Sequence, residues 1–297
     1  MRHHRVSGII LGALISARGA RAQVPSTSPP RSAAPARSVS TVAPRRAEQP
    51  KRTARAVEVV PRSVALRLTL SPEWAYRVFR DYEPSSTDKR YDASGFPAAS
   101  VRLEVYPFAL ASPAVGVAKD FGLTASYERA FGLVSQDVDT DTEVDTKWYQ
   151  FGFGARYRML GGKNPLALGF TLGIQRWVFD FDTTPPSRPV AVGKYTLVPV
   201  GADVRYAWGD LSLFAEGRFL LPLAVAPLGN RTPSGGRFGL GGALGAALTV
   251  FSIFEVEVRA TYTLLYVSLP SVGNRPDQSG TALDQYVVLG AGATLRY

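Results

Sequence analysis

The residue types that perform most enzyme chemistry are nearly absent from this sequence. Its two histidines are His3 and His4, and it contains no cysteine. These residues supply the general bases and zinc ligands of many hydrolases, acyltransferases and zinc proteins. A glycine-rich stretch at 161–165, GGKNP, lacks the Ser or Thr that follows Lys in a phosphate-binding loop, and is typical of a turn. We therefore predict no catalytic residue, no cofactor site and no metal site.

The densest group of charged side chains is acidic. Carboxylates occupy every second position of DVDTDTEVD, at Asp137, Asp139, Asp141, Glu143 and Asp145. Hard cations prefer clustered carboxylate oxygens, so calcium binding is one hypothesis for this stretch. An EF-hand loop needs Gly at its sixth position, where Thr142 stands here. A hydrated loop is the favoured interpretation.

The first 22 residues have the features of a secretory signal. A basic head precedes an apolar stretch from Val6 to Ala17, and Ala20-Arg21-Ala22 precedes Gln23. This order predicts export and cleavage after Ala22. Both histidines would leave with the signal, so that the mature chain would have neither His nor Cys.

Residues 23–62 are rich in Pro, Ala, Ser and Arg and contain no aromatic residue. Such a segment cannot bury enough apolar surface to fold, and we predict a disordered tail. The net charge of +10 belongs to the signal and the tail, because residues 63–297 carry 22 basic and 22 acidic side chains. The charge therefore does not indicate a nucleic-acid partner. The basic tail either contacts anionic polymers of the cell envelope or is a solvated linker.

From residue 63 onward, apolar and polar side chains alternate with period two, which is typical of β-strands. We predict ten strands, at 63–81, 98–108, 121–133, 148–159, 166–181, 195–208, 211–221, 238–251, 254–269 and 282–297. Each is long enough to cross a bilayer. Long and short connections alternate, as in an antiparallel barrel with both ends on the side of the short turns. The connection at 109–120 is longer than this pattern expects.

The last strand, ALDQYVVLGAGATLRY, has one apolar face that ends at Tyr297. It resembles the closing strand of bacterial outer-membrane β-barrels, whose terminal aromatic residue belongs to the assembly signal. The resemblance implies that residues 63–297 form a single antiparallel up-and-down transmembrane β-barrel in the outer membrane of a Gram-negative bacterium. Its implied partners are outer-membrane lipids and the barrel-assembly machinery, and we expect a monomer. Deleting Tyr297 should then impair assembly more than Tyr286→Ala.

Three features favour the apolar face as the outer one. Aromatic residues of that face gather near strand ends, as in two membrane girdles. The inner girdle would contain Phe121, Tyr157, Trp208, Phe254 and Tyr297, and the outer one Trp74, Tyr76, Phe131, Tyr149, Phe238 and Tyr266. The opposite face is rich in glycine, which suits a crowded lumen. It also carries both charge signs in near balance, which limits the cost of burying them.

About ten strands enclose only a narrow interior. We predict that Trp177, Phe179 and Phe214 fill it together with ion pairs between Arg and carboxylate side chains. The favoured function is therefore a non-enzymatic barrel with a structural or surface-interaction role through its outer loops. A narrow, porin-like pore for small solutes is the alternative. A soluble, lipocalin-like carrier of an apolar ligand is the second alternative, and it would need the apolar face inside.

Overall fold

The computed structural model describes residues 64–82, 89–111, 116–136, 143–161, 164–181, 193–226, 235–269 and 280–297. The predicted signal at 1–22 and tail at 23–62 lie outside these ranges, as do residues 137–142 of the acidic stretch. Glu143 and Asp145, the last two carboxylates of that stretch, belong to a strand. The described residues are almost entirely β-structure.

Eleven strands occur in the described part of the chain. They are β1 (Leu66–Tyr82), β2 (Lys89–Val105), β3 (Phe121–Ala130), β4 (Val134–Gln136), β5 (Glu143–Leu160), β6 (Leu166–Phe181), β7 (Gly193–Trp208), β8 (Leu211–Val225), β9 (Arg237–Phe251), β10 (Phe254–Leu269) and β11 (Gly280–Arg296). The three-residue β4 pairs only with the start of β5. The other ten form the barrel, as the alternation predicts.

The barrel is closed and antiparallel. Neighbouring strands pair in chain order, β3 pairs with β5 across the short β4, and β1 pairs with β11 to close the ring. Closure leaves no unpaired edge, which a spanning sheet needs because lipid offers no hydrogen-bond partner. We call the β1–β11 contact the seam.

Short connections lie at one end of the barrel, and we call this the inner end. Turns at Gly209-Asp210 and Ser252-Ile253 join β7 to β8 and β9 to β10, as predicted. Gly209 has a φ of +63°, a conformation that glycine adopts without steric cost. The longer connections lie at the opposite, outer end, which in outer-membrane barrels faces the cell exterior.

The long connection at the inner end contains the only described helical segments, α1 (Pro107–Ala111) and a 3-10 helix (Gly116–Asp120). This explains why the β2–β3 connection is longer than the other inner turns. Neither segment in the described residues has the length and apolar character of a membrane-spanning helix.

The start of β2 was wrongly predicted as loop. The strand begins at Lys89, nine residues before Ala98, the predicted start. A β-bulge explains the error. Tyr76 is skipped in the β1–β2 register, and Gly95 opposite it has a φ of +60°. The extra residue in β2 interrupts the alternation of inward and outward side chains. The odd-numbered Tyr91 and the even-numbered Phe96 therefore both point inward.

The apolar face of the alternation points outward, as predicted. Large apolar side chains are exposed along the barrel wall, for example Leu123, Phe153, Leu172, Leu244 and Val258. The opposite face points into the lumen and contains buried hydroxyl groups and charged side chains, such as Thr69, Ser71 and Glu255. The soluble carrier needs the reverse polarity, so this alternative is wrong.

Tyr297 lies at the seam, at the inner end. Its carbonyl oxygen accepts hydrogen bonds from the backbone N–H groups of Ala65 and Leu66 at 2.6 and 2.9 Å. Its own N–H donates to the Leu66 carbonyl at 3.0 Å, and its ring is 77% exposed. The residue therefore contributes both an outward aromatic ring and part of the hydrogen bonding that closes the barrel.

Deletion of Tyr297 is expected to lower the yield of assembled barrel, because it removes the terminal aromatic and three backbone hydrogen bonds of the seam. The measurement is the fraction of protein that migrates in the compact, heat-modifiable form on a detergent gel. Tyr286→Ala is not a neutral comparison, because Tyr286 is buried in the lumen. Tyr262→Ala is the better control, since its ring is exposed on the outer face. Equal yields for the deletion and Tyr262→Ala would contradict the expectation.

Candidate functional site

The lumen is filled by apolar and aromatic side chains at its outer end. They come from eight strands and include Phe79, Tyr91, Phe96, Trp148, Trp177, Phe179, Tyr195, Leu197, Leu220, Leu265, Val267 and Tyr286. Phe96 packs edge to face on Trp148 at 5.4 Å between ring centroids, and Trp177 packs on Tyr286 at 5.1 Å. We call this set the plug. Trp177 and Phe179 lie in it as predicted, whereas Phe214 lies nearer the inner end.

A buried ion pair lies within the plug and spans the seam. Arg77 on β1 donates from Nε and Nη2 to the two carboxylate oxygens of Asp284 on β11, at 2.8 and 2.7 Å. Both side chains are 1% exposed. The hydroxyl groups of Tyr195 and Tyr286 each donate to Asp284 Oδ2 at 2.9 Å. The Asp284 carboxylate therefore accepts four hydrogen bonds, which offset much of the cost of its burial.

The Arg77 guanidinium group is held by aromatic rings as well. Its central carbon lies 3.6 Å from the ring centroid of Phe179, a cation–π distance. Phe79, Tyr91 and Tyr286 lie farther out, at 5.5, 5.7 and 5.5 Å. The charge is thus enclosed by rings from four strands. The Arg77–Asp284 pair is therefore almost fully desolvated within the described part of the lumen.

A small cavity of about 90 Å³ lies below the plug. Ser100 Oγ donates to Glu73 Oε1 at 2.6 Å, and Gln150 donates to Glu128. Trp148 and Trp177 form part of its wall and belong to the plug. The lumen thus changes from apolar to polar about halfway along the strands.

The inner half of the lumen contains a cavity of about 660 Å³. Its wall includes Gly209 and Ser252 of the two tight turns, so the cavity extends to the inner end of the barrel. Seven arginines line it, namely Arg67, Arg102, Arg156, Arg158, Arg205, Arg259 and Arg296. We call this space the inner cavity. The sequence predicts charged side chains on the lumen face, but it does not predict that they surround a cavity.

Ion pairs connect the wall of the inner cavity. Three arginines, Arg67, Arg205 and Arg296, contact the single carboxylate of Glu255, which is 1% exposed. The remaining pairs are Arg102–Glu257 at 2.5 Å, Arg156–Asp203 at 2.6 Å, Arg156–Glu104 at 3.8 Å, Arg158–Asp120 at 3.2 Å, Arg218–Glu216 at 3.1 Å and Arg259–Glu216. Apart from Arg218–Glu216, both on β8, these contacts join different elements of the barrel.

Glycine leaves room for one of these pairs. A Cβ atom at Gly169 on β6 would overlap Asp203 Oδ1 and the Arg156 Nη2 atom that pairs with it. The ion pair between β5 and β7 therefore passes directly over the β6 backbone. This confirms at one position the prediction that lumen glycines accommodate a crowded interior.

Arg158 ties the β2–β3 connection to the barrel. Its Nε donates to Asp120 in the 3-10 helix at 3.2 Å, and Nη1 donates to the carbonyl of Val64. Its guanidinium carbon lies 3.7 Å from the ring centroid of Tyr106. This arrangement anchors one side of the inner rim.

Most acidic side chains in the inner half of the lumen take part in ion pairs. In the ranges that the structure describes, no group of three His, Cys, Asp or Glu side chains is placed to hold a metal ion. Four carboxylates of the inner cavity, those of Asp203, Glu216, Glu255 and Glu257, are engaged by arginines. The calcium hypothesis depends on Asp137, Asp139 and Asp141, which lie outside the described residues.

The sequence matches no protein-family model and no curated protein. Solved structures with a similar fold include the outer membrane protease OmpT from Escherichia coli, at 13% identity and a TM-score of 0.48, covering 78% of this chain and 96% of that chain. The outer membrane protein OprG from Pseudomonas aeruginosa is 10% identical, with a TM-score of 0.36 and coverage of 79% and 96%. Neisserial surface protein A is 12% identical, with a TM-score of 0.28 and coverage of 77% and 97%. Likeness at this level assigns neither a family nor an activity.

The polarity of the barrel itself identifies its environment. An exposed apolar wall surrounds a lumen that contains the ion pairs, and the closed sheet has no free edge. This combination is that of a transmembrane β-barrel. The protein is an outer-membrane β-barrel.

Proposed function

We propose that the protein is a non-enzymatic, non-conducting outer-membrane barrel with a structural or surface-interaction role through its outer connections. The observation that carries this proposal is the plug. Packed rings and the buried Arg77–Asp284 pair occupy the lumen where a solute would have to pass. A conducting lumen needs a continuous hydrated path, and opening one here would expose the ion pair and separate packed rings.

The connections at the outer end are the parts of this barrel free to meet a partner outside the cell. They join β1 to β2, β3 to β5, β6 to β7, β8 to β9 and β10 to β11, and include residues 83–88, 131–142, 182–192, 227–234 and 270–279. In barrels of this class, loops at this end vary while the wall stays constant, because they do not contribute to closure. The proposed role therefore belongs to the loops, with the plugged barrel as a rigid support.

The alternative function is a narrow pore for small solutes. The inner cavity and the smaller cavity below the plug share the wall residues Arg102 and Arg259, so polar volume extends through much of the lumen. In that case the plug would be a gate.

Planar-bilayer recording distinguishes the two functions. The wild-type protein is expected to insert without steady current steps above background, because the plug closes its lumen. The double variant Trp177→Ala with Phe179→Ala removes two plug rings from β6 and is expected to give intermittent openings. Phe151→Ala with Phe153→Ala is the matched control, since both rings are exposed on the outer face. Steady openings of the wild type would overturn the non-conducting barrel in favour of the pore.

A further inference from the structure

Two arginines interrupt the apolar outer wall of the barrel. Arg129 on β3 has the outward parity of the exposed Tyr127, and Arg176 on β6 has that of the exposed Ile174. The side chain of Arg129 is exposed and that of Arg176 is half-buried. We call these two residues the wall arginines. Because they face lipid, the question is which group offsets their charge.

The wall arginines lie at the depth of the outer girdle. Counted from the inner end of the barrel, Arg129 is the ninth residue of β3 and Arg176 is the eleventh residue of β6. Trp74, a ring of the outer girdle, is the ninth residue of β1 on the same count. Lipid headgroups meet a barrel at the level of its aromatic girdles. The two guanidinium groups are therefore within reach of headgroups by snorkelling toward them.

The other charged side chains on the outward face of the described strands lie farther out. Each stands at the fourteenth position from the inner end or beyond, namely Arg80, Asp92, Glu143, Asp145, Lys147, Asp180 and Lys194. Three residues of strand separate them from Arg176, which is roughly 10 Å. Among the described side chains, no carboxylate thus faces outward at the depth of the wall arginines.

The nearest carboxylates have other contacts or another orientation. Asp180 pairs with Lys194 at 2.7 Å. Glu128, next to Arg129 in the chain, points into the lumen and accepts a hydrogen bond from Gln150 there. These carboxylates therefore do not provide a partner for the wall arginines on the lipid side.

Rings and one hydroxyl group surround the wall arginines. In the strand register Arg129 is opposite Tyr149, and Arg176 is opposite Phe151 and Thr196. Arg176 Nη1 donates to Thr196 Oγ1 at 2.6 Å, which orients the guanidinium group and uses one of its five N–H donors. A charge among such neighbours is favourable only if an anion or water reaches it from the lipid side.

The spacing of the wall arginines indicates the size of this anion. β5 pairs with both β3 and β6 and so lies between them. Neighbouring strands are about 4.8 Å apart, so the backbones that carry the two arginines are separated by roughly 10 Å. Toward the inner end the wall continues with exposed apolar side chains, for example Phe153 and Ile174. A ligand here would meet two cations above an apolar surface.

We propose that the wall arginines bind the headgroup of an outer-leaflet lipid that carries two phosphate groups, one on each side of β5. The planar fork of a guanidinium group matches the oxygens of a phosphate. The acyl chains of the lipid pack on the wall at Phe153 and Ile174, in continuity with the rest of the lipid-facing surface. Binding at the wall is independent of the role of the outer connections.

Native mass spectrometry of the refolded full-length barrel tests the site. The probe is diphosphoryl lipid A, a glycolipid with two phosphate groups, added to the barrel in a neutral detergent. EDTA removes divalent ions that would bridge phosphate groups to the carboxylates at the outer end. We expect one lipid to bind saturably. Arg129→Gln and Arg176→Gln should each weaken binding about tenfold to a hundredfold, the effect of losing one charge-assisted contact.

Monophosphoryl lipid A with the same acyl chains isolates the contribution of the second phosphate group. The wild type should bind it about tenfold more weakly than the diphosphoryl form. The double variant Arg129→Gln with Arg176→Gln should bind the two lipids equally, because it has lost both guanidinium groups. A purely structural role of the two arginines would not produce this loss of selectivity.

Arg80→Gln is the matched control. Arg80 also faces outward, on β1, but it is the fifteenth residue from the inner end and donates to Tyr82. The same change of charge there should leave lipid binding unchanged. Heat-modifiable migration on a detergent gel confirms that each variant is folded.

Selective binding of the diphosphoryl lipid that Arg176→Gln weakens and Arg80→Gln preserves supports the site. Equal wild-type affinity for the two lipids, or equal effects of Arg176→Gln and Arg80→Gln, overturns it. Displacement of the lipid by excess inorganic phosphate would also overturn it, since the site would then bind the free ion. Failure here would leave the bilayer recordings unaffected, so the lipid site and the non-conducting barrel are judged separately.

Discussion

Asp284→Asn is expected to lower the free energy of unfolding of the barrel by about 3–5 kcal/mol, the usual cost of removing one partner of a buried ion pair. The substitution leaves the Arg77 guanidinium charged and sealed among aromatic rings. It also weakens the hydrogen bonds that Tyr195 and Tyr286 donate to the carboxylate. Urea unfolding in lipid vesicles, followed by tryptophan fluorescence, measures the effect.

The surface pair Lys194–Asp180 is the matched control. Its nitrogen–oxygen distance of 2.7 Å equals that of Arg77–Asp284, but its side chains are 34% and 37% exposed. Lys194→Gln should therefore cost no more than about 1 kcal/mol. The double variant Arg77→Met with Asp284→Leu removes both charges and should recover much of the stability lost in Asp284→Asn. Equal effects of Asp284→Asn and Lys194→Gln would show that burial of the pair does not determine its contribution.

Leu244→Arg is expected to destabilise the membrane-inserted barrel by about 2–4 kcal/mol, and Phe251→Arg by at most about 1 kcal/mol. Both side chains are 67% exposed, Leu244 on the outer face of β9 and Phe251 at the inner rim, where β9 pairs with Phe254 through a bulge. Leu244 lies at the middle of this strand, whereas Phe251 is its last residue, beside the turn at Ser252. The difference arises because a charge at the bilayer centre is far from water, while one at the rim reaches the headgroups.

The comparison isolates depth in the membrane, because residue exposure, strand and introduced charge are the same in both variants. Unfolding by urea is measured in vesicles of one lipid composition. A cost for Leu244→Arg no greater than for Phe251→Arg would contradict the position of the apolar band. The same pair in detergent micelles should show a smaller difference, since a micelle adapts its thickness to the protein.

The lipid-facing side of the barrel could be predicted from sequence because alternation needs only neighbouring residues. On β9, Phe238, Leu240, Leu244 and Leu248 follow one parity, and all are exposed in the folded barrel. The tight turns follow from the same local pattern. Only the first part of β2, which contains Tyr91, was missed, because the bulge at Gly95 interrupts the regular alternation of inward and outward side chains in this strand.

The plug could be predicted only in part, for a different reason. Near the outer end both faces of several strands are apolar, as at Leu264 and Leu265 on β10, so the contrast that identifies the lumen face disappears. Trp177 and Phe179 were recognised because of their size alone. The partners of the buried charges could not be predicted, because Arg77 and Asp284 are 207 residues apart in the chain and meet only after closure. The contacts of Arg67, Arg205 and Arg296 with Glu255 depend on the same long-range register.

The ion pair across the seam bears on the fidelity of barrel closure. In the native register Arg77 lies opposite Tyr286, and Asp284 points into the lumen on the same face. A slip of one residue between β1 and β11 would turn one of the two charges toward lipid and leave the other alone among rings. The neighbouring registers are therefore penalised by desolvated charge as well as by lost packing. The pair thus favours the native register over registers shifted by one residue when β1 and β11 pair to close the barrel.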